Sequence, residues 1–199
     1  MFHFLFAKKL YQRTIVLFSV ALFLLAGSFF TVLFWSPSFS SLFDSLQTES
    51  SQVDRNRWET FAWYVQNNGF QVPFQMFLLA FLPIPYLYFI NVGLTSVFIG
   101  IALYLPIPLA NDQFTVGDAL AGTALHGVFE MIGFCFIAAL LHPVHRSIRG
   151  KLANLVRPSK HVPSLLIALK HLGIGYLTVA LPLLIAAGLI EAFISPLLV

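Results

Sequence analysis

Residues 119–141 form a 23-residue run apolar enough to cross a bilayer, and it carries His126 and Glu130. A span needs roughly 20 mostly apolar residues. An ionisable side chain at mid-bilayer costs on the order of 2.5–3.5 kcal/mol on insertion scales, so it is normally turned inward and given a partner. His126 and Glu130 are four residues apart, which places them on one helix face. The fold must therefore set polar groups from another helix against that face.

Composition extends the constraint to the whole chain. It is 58% hydrophobic and 10% charged, holds 22 phenylalanines and has a mean hydropathy of +0.85. A soluble domain is nearer about 25% charged. The chain reads as an all-α, polytopic membrane protein. Its net charge of +3 is first a topology signal, not a nucleic-acid footprint. Cys135 stands alone inside an apolar run and reads as a small hydrophobe. The first apolar run, residues 14–34, exceeds the ~7–15 residues of a signal-peptide h-region and lacks a small-x-small cleavage site, so it is expected to remain as a helix.

The pattern predicts one membrane domain, 1–199, of five transmembrane helices plus short amphipathic interfacial helices. Residues 1–13 form a basic amphipathic cytoplasmic lead, and 14–34 is span one. Residues 35–71 form an outer amphipathic segment with two short helices, the second capped by Asp54. Trp58, Phe61 and Val65 mark its apolar face, which either lies flat on the membrane or docks a partner. Trp58, Trp63 and Tyr64 suit an interfacial aromatic belt. Spans two and three occupy 72–109, with a tight turn at Asn91-Val92-Gly93. Pro83, Pro85, Pro106 and Pro108 should kink or end them. Span four is 119–141. A basic cytoplasmic segment, 142–173, follows. There Arg146, Arg149, Lys151, Arg157 and Lys160 flank an apolar face of Val144, Ile148, Leu152 and Leu155, as in a helix that contacts lipid headgroups or a partner. Span five, 174–194, is kinked at Pro182 and carries Glu191 near its end.

Charge orients this arrangement. With the N-terminus cytoplasmic and the C-terminus extracellular, nine of the eleven Lys and Arg residues fall inside, and only Arg55 and Arg57 fall outside. The expected location is the cell membrane of a bacterium.

Depth follows from a rise of about 1.5 Å per residue: His126 lies about 6 Å outward of the centre of span four, and Glu191 about 10 Å outward of the centre of span five. They are expected to meet, directly or through Glu130 or a water. Three readings stay open. One is a buried polar clasp between spans four and five. Another is a proton or substrate relay. The third is a metal site using His-x-x-x-Glu, against which stand the missing His-Glu-x-x-His pattern and the single histidine. No Ser/His/Asp grouping, phosphate loop or nucleotide motif is visible, so no catalytic residue, cofactor or metal is assigned and no enzyme is expected.

Several short motifs recur in one order: Asn67-Asn68, Asn91-x-Gly93, His126-Gly127-x-x-Glu130, and Ala186-Ala187-x-x-x-Glu191-Ala192-Phe193-Ile194-Ser195-Pro196. In these the chain resembles the stage II sporulation protein M family over about residues 64–196. It departs at Leu125, where that family usually has proline, and in its Phe-, Leu- and Pro-rich second span. The resemblance adds Asn68 and Asn91 to the polar set. It implies a five-span, non-enzymatic membrane protein that assembles or scaffolds a cell-envelope complex. Founding members help to localise a cell-wall hydrolase complex. Other members are encoded beside ATP-binding-cassette components or in bacteriocin clusters, which implies the alternative of an exporter, maturation or immunity subunit. The partners so implied are membrane lipids and other membrane proteins, such as an ATPase subunit, cell-wall enzymes or a second copy of the chain.

Overall fold

Residues 134–141 are buried on every side. A helix apolar all round belongs inside a bundle, and the computed structural model places it there. It describes residues 7–35, 56–104, 107, 116–156 and 162–195. The Asp54 cap, Pro106, Pro108, Arg157, Lys160, the first amphipathic helix of the outer segment and the C-terminal tail fall outside them. The described residues contain no strand.

The elements are α1 (Lys8–Trp35), α2 (Arg57–Tyr64), a π-helical turn (Val65–Gln71), α3 (Val72–Phe81) and a 3-10 turn (Leu87–Phe89). Then come α4 (Ile90–Tyr104), α5 (Val116–Val156), α6 (Leu165–Gly175), a π turn (Tyr176–Ala180), α7 (Leu181–Leu189) and a last π turn (Ile190–Ile194). The central mast is α5, and every other long element packs on it. The α1 helix buries only Leu10, Ala21 and Val32, a thin seam. Along α4 and the turn before it the buried residues are Tyr88, Val92, Ser96, Gly100 and Tyr104, one every four. Gly93 lies against Leu24, and Gly100 against Leu25 and Ser28, so α1 and α4 run side by side in the same direction.

Among the described residues, four helices are long and apolar enough to cross a membrane: Lys8–Trp35, Leu87–Tyr104, Ala124–Leu155 and Leu165–Ile194. The expected count was five. The missing one, span two, is the apolar second half of a continuous rod from Arg57 to Phe81. Its first half carries Arg57, Glu59, Gln66, Asn67 and Asn68. At a rise of about 1.5 Å per residue the rod is still about 37 Å long. Trp58 packs on Phe193 at one end, and the Ala80 carbonyl meets His145 at the other.

Several predicted boundaries change. The basic lead is the first turns of α1, because Lys8 already opens that helix. The second outer helix does not lie apart as a cap. It is the first half of the Arg57–Phe81 rod, and its N-cap is Asn56, whose N–H donates to Glu59 Oε2 at 3.3 Å. The turn between spans two and three falls at residues 82–86, while Asn91, Val92 and Gly93 are helical. Pro83 and Pro85 each push the residue before them out of the helical region. Leu82 accordingly has ψ 138°. Tyr86 takes the left-handed conformation at φ 60°. The basic segment does not break off at residue 142, since α5 runs unbroken through Pro143 to Val156. Val144 and His145 are buried just beyond that proline, so tertiary packing holds the helix across it. The predicted kink at Pro182 appears as a π turn.

Pro73 and Pro182 each stand at the second position of a helix that follows a π turn. Proline has no N–H and crowds the carbonyl four residues back. Widening the preceding turn relieves this: Val72 N–H reaches the Asn67 carbonyl, and Leu181 N–H the Tyr176 carbonyl, each five residues back. In hydrocarbon a freed carbonyl must find another donor. Gly69, four residues before Pro73, finds it in the Tyr176 hydroxyl of the neighbouring rod.

A side chain at Gly100 would run into Ser28 Oγ and the Leu25 carbonyl, whereas one at Gly27 would meet nothing. Gly100→Val should therefore destabilise the protein by about 1–3 kcal/mol through overpacking. Gly27→Ala should leave the thermal midpoint in detergent unchanged or slightly raised.

Candidate functional site

Three rods meet at the end of the bundle opposite the N-terminus of α1. From α5 come His126 and Glu130, from the Arg57–Phe81 rod Tyr64 and Asn68, and from the last π turn Glu191. His126 Nδ1 lies 2.7 Å from Glu191 Oε2. The Tyr64 hydroxyl donates to Glu130 Oε2. Its ring stands edge-on to His126, with centroids 6.3 Å apart. Asn68, one turn along from Tyr64, also bonds the Tyr64 hydroxyl and accepts from Asn67 Nδ2 at 2.7 Å. Ser195, one turn beyond Glu191, bonds that carboxylate.

Local packing explains the convergence. Gly188 lets the Tyr64 ring in, since a Cβ there would be 2.9 Å from Tyr64 Cδ1. Trp58 closes the end by meeting the Phe193 ring edge-on at 4.9 Å between centroids. Glu130 is 8% exposed, whereas the Glu191 side chain is 36% exposed and that of His126 15%. Each acid is thus met by a donor, Glu130 by a hydroxyl and Glu191 by an imidazole. Such an arrangement can hold three helices in register and give each carboxylate a polar partner, with Glu130 shut away and Glu191 partly exposed.

The structure thus brings His126, Glu130, Glu191 and Asn68 into one cluster. Asn91 does not belong to it. Asn91 Nδ2 donates to Gln75 Oε1 at 3.2 Å on the flank between α3 and α4, because Asn91 lies at the start of α4, near the other end. The proposed outer docking face is also partly occupied. Phe61 and Val65 are half-buried, and Phe61 turns toward Gly188. Trp58 covers Phe193 yet stays 63% exposed. Arg146, Arg149 and Lys151 are exposed on the last turns of α5.

Sequence reasoning placed Tyr64 in an aromatic belt and missed its role as the donor to Glu130. The available signal was the four-residue spacing of Tyr64 and Asn68, which puts two polar groups on the face that becomes buried further along the rod. It also missed a second polar group near the opposite end. There the Tyr88 hydroxyl lies 3.2 Å from His142 Nδ1, and His145 Nδ1 donates to the Ala80 carbonyl at 3.0 Å. That carbonyl is among the last four of α3, which have no partner within their own helix. Among the described residues no three His, Cys, Asp or Glu side chains group as a metal site.

An all-α bundle of long apolar helices around a mast with internal ionisable groups defines a polytopic membrane protein. The sequence model of stage II sporulation protein M matches residues 19–196, and the chain belongs to that family. Comparison with curated proteins and with solved structures returned no match.

Interhelical hydrogen bonds in a membrane contribute about 1–2 kcal/mol each. Tyr64→Phe should lower stability in detergent by about that amount, because Glu130 loses its donor. Glu191→Leu should lower it comparably, and Glu191→Gln by less than half as much, since an amide oxygen still accepts. Unfolding curves that coincide for wild type and Glu191→Leu would remove the clasp.

Proposed function

We propose that this chain is a non-enzymatic membrane subunit that holds a cell-envelope complex together, with the Tyr64–Glu130 and His126–Glu191 contacts as the clasp that fixes its shape. The observation that carries this reading is the enclosure of Glu130. Glu130 is 8% exposed and answered by Tyr64 from a different rod. A relay for protons or cargo calls for a path to such a group, whereas a clasp needs it shut away. Family membership supports a membrane role of this kind. In this reading the chain sits in a bacterial cell membrane with Lys8 on the cytoplasmic side and Ser195 on the outer side. Nearly all of its basic residues then lie inside. The surfaces left for partners are the exposed basic turns around Arg146, Arg149 and Lys151 and the exposed ring of Trp58.

A competing reading is a membrane subunit of an ATP-binding-cassette-type exporter or of a bacteriocin maturation, secretion or immunity system. The observation in its favour is the set of π turns in the two rods flanking the cluster, since such turns often mark functional sites.

Purification from native membranes in a mild detergent, with mass spectrometry of the co-eluting proteins, separates the two. The scaffold reading expects cell-envelope proteins in fixed ratio and their loss in Glu191→Leu. An ATPase subunit with nucleotide hydrolysis as the main companion favours the exporter. A chain that elutes alone, fully folded, overturns both.

A further inference from the structure

At the end where α1 begins, a cavity of about 240 Å³ opens between α1, the turn at 82–89 and α5. Lys9, Gln12, Arg13, Tyr86, Tyr88 and His142 surround its polar mouth, and Val16 and Leu17 form an apolar wall. The volume corresponds to about eight waters at roughly 30 Å³ each. It is a little below the ~300–1,000 Å³ of sites for drug-sized ligands. A single phosphate-bearing headgroup is of this scale.

Three features of the site point to an anion. Lys9 and Arg13 are one turn apart on the same helix face, a spacing at which like charges repel. No described carboxylate lines the cavity. Glu59, Glu130 and Glu191 belong to the opposite end. Finally, the wholly buried Tyr88 fixes the His142 ring at the cavity, its hydroxyl 3.2 Å from His142 Nδ1. Tyr86 adds a separate observation. It is the residue with positive φ, 60°, among the described non-glycines, and its ring sits 6.0 Å from the His142 ring, centroid to centroid. A non-glycine residue in that conformation is a local cost that surrounding structure must hold, and such residues gather at ligand sites. Here the conformation brings the Tyr86 ring over the cavity.

We propose that this cavity binds the phosphate of an anionic glycerophospholipid headgroup, with Lys9 and Arg13 as the charge partners, His142, held by Tyr88, as a hydrogen-bonding group, and Val16 and Leu17 against the start of an acyl chain. The apolar wall favours a lipid over a free phosphate. The site is separate from the clasp and does not depend on the scaffold reading.

The test titrates the full-length protein, in a neutral detergent, with phosphatidylglycerol or phosphatidylcholine. Binding is read by native mass spectrometry and the thermal midpoint is followed in parallel. Phosphatidylglycerol should bind more tightly and raise the midpoint. Lys9→Gln and Arg13→Gln should each weaken it about fivefold, the factor for a cation at an anionic headgroup. Lys170→Gln, an exposed cation outside the cavity, should leave it unchanged. Lys9 is exposed on the first turn of α1, so its variant reports on binding even where Arg13→Gln folds poorly. Inorganic phosphate that raises the midpoint and displaces phosphatidylglycerol would retain the phosphate site and make free phosphate its ligand. Equal binding of the two lipids, or an equal loss in Lys170→Gln and Lys9→Gln, would overturn the proposal.

Discussion

A carboxylate inside a membrane bundle is tolerated when a donor from another helix is fixed against it, and that requirement shapes the half of this molecule opposite the start of α1. Glu130 sits on the mast, and its donor is Tyr64. Tyr64 can reach it only if the polar first half of the Arg57–Phe81 rod enters the bundle instead of lying on its surface. That is why a stretch with Gln66, Asn67 and Asn68 continues end-on into an apolar helix. Hydropathy alone counts four crossing helices, yet the fifth rod has equal reach. Its polar residues are part of the contact that brings it in.

The same rod is tied a second time, by backbone chemistry. Pro73 removes an amide hydrogen, the preceding turn widens, and the Gly69 carbonyl is left to be answered from outside its helix. Tyr176 answers it from a π turn that itself precedes Pro182. Two prolines that would weaken isolated helices thus become the place where two rods join. Each ring demands a wider turn, and one widened turn supplies the hydroxyl that the other needs.

Much of this was legible in the sequence. The all-α membrane class followed from composition, and the resemblance to the family rested on motifs spread over the matched span. The closeness of His126 and Glu191 followed from a count of helix rise, because the apolar runs mark the ends of both rods and the one π turn that holds Glu191 changes its depth little. What escaped notice depended on context. The break at residues 82–86 and the helical state of Asn91 and Gly93 compete for the same turn. Two X-Pro pairs prevailed because they restrict the backbone, whereas Asn and Gly only permit a turn. Pro143 misled in the opposite sense, since burial of Val144 and His145 holds α5 through it. Tyr64 was hidden by its aromatic character, which suits an interface as well as a buried hydrogen bond.

The two ends of the bundle now differ in kind. One end gathers carboxylates and closes over them with Tyr64, Trp58 and Phe193. The other gathers Lys9, Arg13, His142 and the exposed arginines of α5, and there the cavity stays open. A carboxylate shut away as Glu130 is, at 8% exposure, can carry the architecture while offering little for a partner to read, whereas the Glu191 side chain stays 36% exposed. Recognition then falls to the exposed surfaces, where side chains can vary without exposing a buried charge. The clasp therefore accounts for how these helices are held, and it leaves the exposed surfaces of this chain free.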